Sequence, residues 1–227
     1  MTLDFADFTK ASNIIHALQG ASLLLLGAAE AYSLDNSGKK ATLAAAAGLV
    51  LAGLAMFAAV LALPGGWSFR QLGEALAFRR GFYLFIAFAC LYGAAGLSLF
   101  AAAAAENSRG GWQKVFLGLL AFSGSLYFLM AWRVNEEAWR QVLVWHSAIG
   151  VTLLLAVAAR AAYFFRERRG LRLAWALLLL AAGLQLVSYK ESSEAFSART
   201  VTIESAPEEP VPAVNNAKPA DKERTAD

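Results

Sequence analysis

The chain contains two histidines, and each opens a copy of the same pattern. The first copy is NIIHALQGASLLLLGAAEAY, residues 13–32; the second is VWHSAIGVTLLLAVAARAAY, residues 144–163. Setting His16 on His146 aligns Gly20 with Gly150, Ser22 with Thr152, Leu23 with Leu153 and Glu30 with Arg160. Imidazole is the side chain best suited to holding a metal or passing a proton near neutral pH. Two imidazoles at the same depth on two helices can share one ligand. Haem b, which takes a histidine on each axial side, is the candidate cofactor. A glycine one helical turn after each histidine leaves room on the same face for a flat macrocycle. Arg79, Arg80 and Arg140, with Lys10 and Arg133, fall on the histidine side of the chain and are candidates to hold haem propionates. Two histidines alone make a poor zinc site, which takes three or four protein ligands.

The second charged position is as regular as the first. Fourteen residues separate His16 from Glu30, and fourteen separate His146 from Arg160. At ~1.5 Å and ~100° per residue this is about 21 Å and nearly four whole turns, so each histidine shares a helix face with its distant charge. An ionisable side chain inside a bilayer is costly, and an opposite charge at matched depth lowers the cost. The expectation is an ion pair between Glu30 and Arg160. The plainer alternatives are that these two side chains reach separately to the head groups, that the glycines are packing notches, and that the histidines only tie helices together.

The elements that must position these residues are membrane-length helices. Of the 227 residues 58% are apolar and 16% charged, against about a quarter charged in a soluble domain. The apolar residues form long uncharged runs of the ~20 residues that a helix needs to cross a bilayer. Six spanning helices are expected, at roughly 13–33, 41–63, 82–105, 113–132, 140–164 and 171–189, which makes an all-α integral membrane bundle. The first and fifth run in the same direction, so the two copies form a parallel repeat. Residues 1–12 read as an interfacial segment with Leu3, Phe5 and Phe8 on the membrane, residues 13–189 as the transmembrane domain, and 190–227 as a disordered polar tail. The connection PGGWSFRQLGEALAFRRG reads as an amphipathic surface helix. Basic residues at 166–172 favour an orientation with both termini outside. The net charge of +3 comes from basic residues grouped between the apolar runs. That fits lipid head groups as partners and not nucleic acid. The lone Cys90 rules out an internal disulfide. No serine, cysteine or carboxylate constellation for hydrolysis and no Gly-rich phosphate loop is present.

The segment WHSAIGVTLLLAVAARAAYFF resembles the haem-ligating helix of small b-type membrane cytochromes. There a histidine is followed one turn later by a glycine, then by a leucine-rich run and an arginine or glutamine near the far end. His146, Gly150 and Arg160 match that pattern, and His16 with Gly20 matches its front half. The resemblance covers about twenty residues in each copy. It implies haem ligation by His16 and His146 and electron transfer with a quinone or another redox protein. Those cytochromes supply four histidines for two haems; two histidines imply one haem here. The expected function is therefore that of an electron-transfer subunit, multi-pass in a bacterial inner membrane, not a stand-alone enzyme. A channel, transporter or proton relay using His16, His146 and Glu30 is the alternative, and a non-catalytic membrane scaffold is a third.

Overall fold

A computed structural model of the chain describes residues 5–36, 38–105, 110–192 and 195–196. These residues form helices and turns, with no strand among them. The spanning helices are α1 (Phe5–Tyr32), α2 (Lys39–Ala62), α4 (Tyr83–Ala104), α5 (Gly111–Leu126), α6 (Glu136–Arg166) and α7 (Arg169–Ser188). A short helix, α3 (Phe69–Phe78), lies between α2 and α4. A 3-10 turn, Arg80–Phe82, leads into α4, and a longer 3-10 segment, Tyr127–Arg133, extends α5. With these extensions counted, six helices are long and apolar enough to cross a membrane, as expected of a multi-pass integral membrane protein. Uncharged Leu- and Ala-rich sequence forms helix there because no other open structure satisfies its own backbone without water.

Neighbour packs on neighbour in the order α1, α2, α4, α5, α6, α7 and back to α1, closing a ring of six helices. The tightest crossings use glycine. A Cβ added to Gly20 of α1 would lie 2.6 Å from the carbonyl oxygen of Gly183 on α7, and one added to Gly183 would lie 2.8 Å from that of Gly20. On α6, a Cβ at Gly150 would lie 2.8 Å from the carbonyl oxygen of Gly124 on α5. Removing side chains lets helix backbones approach where lipid supplies no hydrophobic drive for association. Five of the six tryptophans, Trp67, Trp112, Trp132, Trp139 and Trp145, are exposed near the helix ends, whereas Trp175 is buried.

Three boundaries differ from the sequence expectation. α1 begins at Phe5, and Phe8 is only 1% exposed; its ring packs edge-on against Phe82, 4.7 Å away. Part of the proposed interfacial segment is therefore core, while Leu3 lies outside the described residues. The second difference is at the C-terminal end of α7. The chain does not leave the bundle at residue 190: Tyr189 and Glu191 are buried, as are Ala195 and Phe196. Asn135 donates its backbone N–H to the Ala195 carbonyl at 3.0 Å, and Phe196 packs against Phe8 and Phe82. The rest of the expected tail, 193–194 and 197–227, lies outside the described residues.

The third difference is the 3-10 segment that completes the fourth span. Three residues per turn bring positions i, i+3 and i+6 into one row. Tyr127, Met130 and Arg133 form that row, and all three are buried. In α-helical geometry Arg133 would sit about 120° away from Tyr127. This change of pitch turns an arginine expected at the head groups into the bundle.

Candidate functional site

The interior faces of α1 and α6 carry the site in matching register. Ser12, His16, Gln19, Leu23, Leu26 and Glu30 are buried on α1. Val142, His146, Ile149, Leu153, Ala156 and Arg160 are their counterparts on α6, and they too are buried. Alternating steps of four and three residues keep each set on one stripe. The backbones of α1 and α6 each pack on α7, and their longer side chains meet across the interior at two levels.

At the first level His146 Nε2 lies 3.1 Å from His16 Nε2. His146 Nδ1 lies 2.8 Å from the Val142 carbonyl oxygen. A carbonyl only accepts, so His146 Nδ1 carries the proton and donates. In a neutral ring this leaves His146 Nε2 with a lone pair, which accepts from the N–H of His16 Nε2. His16 Nδ1 is then bare, and it is buried without a hydrogen-bond partner. Both imidazoles are fully buried. The Tyr189 ring stands edge-on to both, with its centroid 5.0 Å from that of His16 and 4.8 Å from that of His146. Phe85 flanks His16 and Tyr127 flanks His146. The Tyr92 and Tyr127 hydroxyl oxygens lie 3.4 Å apart.

The two rings point Nε2 at Nε2 and share one hydrogen bond. A first-row metal bonds imidazole nitrogen at ~2.0 Å, so shared ligation asks for nitrogens about 4 Å apart. The observed separation is about 1 Å shorter. The space beside the pair is occupied by Tyr189, which belongs to the segment after α7 and not to a spanning helix. Holding a haem between them would require the two nitrogens to part by about 1 Å and the Tyr189 ring, which packs on both imidazoles, to leave its place.

The glycines expected to clear space for a macrocycle do something else. Gly20 faces α7 and Gly150 faces α5, each against backbone, so they are packing notches. The expected propionate partners also separate. Arg80 and Arg140 are exposed. Arg79 is half-buried and donates to Asn135 Oδ1 at 3.2 Å and to the Phe196 carbonyl at 3.1 Å. Lys10 pairs with Asp7 on the surface.

Arg133 enters the interior instead. It forms a short ion pair with Glu191, and both side chains are 0% exposed. Ser12 donates to Glu191 Oε2 at 2.7 Å and Tyr189 to Oε1 at 2.8 Å. The Glu191 backbone N–H donates to Asn13 Oδ1 at 2.7 Å. Burial alone would raise the Glu191 carboxyl pKa; Arg133, with the Ser12 and Tyr189 hydroxyls, outweighs it and holds the carboxyl below its ordinary value. Burial, then the Glu191 charge, push the Tyr189 phenol upward. This network fixes the ring that touches both histidines. Reasoning from sequence missed it because Glu191 was placed in a polar tail and Arg133 among the head-group charges.

At the second level Arg160 Nη1 lies 3.6 Å from Glu30 Oε2, and both side chains are about nine-tenths buried. The separation is that of an ion pair and not of a hydrogen bond, and Arg160 Nη1 and Nε have no hydrogen-bond partner. Gln19, between the two levels, is buried with both amide atoms unpartnered.

Comparison with known protein families, curated proteins and solved structures gives no match for this chain.

Proposed function

We propose that this protein is an electron-transfer subunit of a bacterial inner membrane that carries one b-type haem between His16 and His146 and exchanges electrons with a quinone or a redox partner protein. One observation carries the reading. The only two imidazoles in the chain come from two parallel helices and present Nε2 to Nε2 in the interior of the ring. The Val142 carbonyl supports it, because it fixes the His146 tautomer whose Nε2 is unprotonated, the form in which imidazole binds a metal. Such a haem supplies one-electron chemistry at a potential set by its ligands and their burial. The chain's own part is to orient both imidazoles, to keep water out with Phe85, Phe88, Tyr92 and Tyr127, and to place Arg133 as the positive charge nearest the Tyr189 side. Full-length protein purified in detergent should contain extractable haem, and His16→Ala or His146→Ala should lose it while remaining folded in the membrane. Haem retained in both variants would overturn the assignment.

The direct 3.1 Å imidazole contact also favours a second reading, in which the pair relays protons within a membrane transport protein. That protein would be colourless, and Glu30→Gln would change the pH dependence of its transport.

A further inference from the structure

A cavity of about 410 Å³ lies inside the ring at the end opposite the Glu191 network. Its lining comes from the C-terminal ends of α1, α4 and α6 and the N-terminal ends of α2, α5 and α7. All six spanning helices therefore contribute to it. The volume falls in the range of small-ligand sites, and it is many times that of one water molecule.

Among the described residues the lining carries more cations than carboxylates. Its described residues include three cations, Lys39, Arg160 and Arg172, and one carboxylate, Glu30. Several donors in this lining are buried and make no hydrogen bond. Arg160 Nε and Nη1, Arg172 Nε and Gln113 Nε2 have no hydrogen-bond partner. Gln113 is 3% exposed, and the Arg160 side chain 9%. Arg172 is held in place by Nη2, which donates to the Ser33 carbonyl and hydroxyl oxygens at 3.0 Å. A buried polar group without a partner costs stability. Arg160 Nη1 has the Glu30 carboxylate at ion-pair distance; the other three, all nitrogen donors around one cavity, call for a group that brings only acceptors. Leu99, Ala102 and Ala103 supply an apolar wall on the α4 side.

We propose that this cavity binds an anion through carboxylate or phosphate oxygens, with Arg160, Arg172 and Gln113 as donors and a small apolar portion of the ligand against α4. Arginine suits this role because its charge is permanent and its donors lie in a fixed plane. Glu30 competes with the ligand for Arg160 and so sets the affinity. The site is independent of the histidine pair, which lies about 21 Å further along α1 and α6 at the rise of an α-helix.

The test uses full-length protein in detergent, with thermal unfolding followed by tryptophan fluorescence. Sodium phosphate and sodium acetate are compared with sodium chloride at matched ionic strength. Phosphatidylglycerol is compared with phosphatidylcholine in a parallel series. A ligand of the folded state raises the midpoint in proportion to the logarithm of its concentration above its dissociation constant. The expected result is a rise with phosphate or acetate that grows with the logarithm of concentration, and no such rise with chloride. A rise with phosphatidylglycerol alone assigns the oxyanion to a lipid head group instead of a solute. Gln113→Leu should weaken the response about tenfold, the usual value of a hydrogen bond to a charged group. Glu30→Gln should strengthen it by releasing Arg160, even where the loss of the ion pair lowers the midpoint without ligand. A structural role for the cluster predicts no such opposition. Equal responses to every anion, or responses unchanged in both variants, would overturn the proposal.

Discussion

Glu191→Gln removes the charge opposite Arg133 while keeping the shape of the side chain. Both partners are 0% exposed, so the arginine is left with no opposing carboxylate in a closed environment. Breaking a buried pair in this way costs about 3–5 kcal/mol. Two further losses add to it, because the amide cannot accept from Ser12 and Tyr189 on both of its former oxygens. In a chain of this size 1 kcal/mol moves the unfolding midpoint by roughly 2–4 °C, so a fall on the order of 10 °C is expected. The double variant Arg133→Met/Glu191→Leu should recover most of it, since replacing both charges by apolar groups is often neutral or better. The pair also sets a pH dependence. The Glu191 carboxyl is lowered in the folded protein, so its contribution is complete above the ordinary carboxylate value. It is lost as pH falls below that value and through the lowered one. Wild type should therefore lose stability on acidification below about pH 4, and the double variant should lose less. The assay is thermal unfolding in detergent across pH 3 to 7. A midpoint for Glu191→Gln within a degree of wild type, or identical acid profiles for wild type and the double variant, would refute the reasoning.

Two further outcomes follow from the same coordinates. Reversing Glu30 and Arg160 singly should destabilise the protein, and the swap Glu30→Arg/Arg160→Glu should restore much of the loss; a swap no better than the singles would remove the pair from the account. Gly20→Ala places a methyl group 2.6 Å from a backbone oxygen of α7 and should cost about 1–3 kcal/mol by overpacking, whereas Gly118→Ala, with open space around it, should be neutral or slightly stabilising in the same unfolding assay.

The six spans were legible because uncharged apolar length alone specifies a crossing helix, and the parallel repeat was legible because α1 and α6 keep one spacing from His16 to Glu30 and from His146 to Arg160. What the spacing did not carry was which neighbour each helix face meets. Gly20 and His16 lie one turn apart, yet the glycine turns to α7 and the histidine to the interior, a division that depends on helix order round the ring. Arg133 was hidden by a change of pitch: its inward direction arises from the 3-10 turn after Leu126, which composition does not mark. Glu191 was hidden by its polar surroundings in sequence, although Tyr189 and Phe196 on either side of it are the aromatic residues that seat the segment. The cavity was hidden for a related reason, because Gln113, Arg160 and Arg172 are far apart in the chain and meet only when six helix ends converge.

The central claim concerns what the two imidazoles hold, and the visible absorption spectrum of the purified full-length protein, recorded oxidised and then reduced with dithionite, tests it most directly. The account predicts a Soret band and sharpened bands on reduction that correspond to one haem per chain and disappear in His16→Ala. A protein without visible absorption, purified from haem-replete cells and unable to take up added haem, would contradict it.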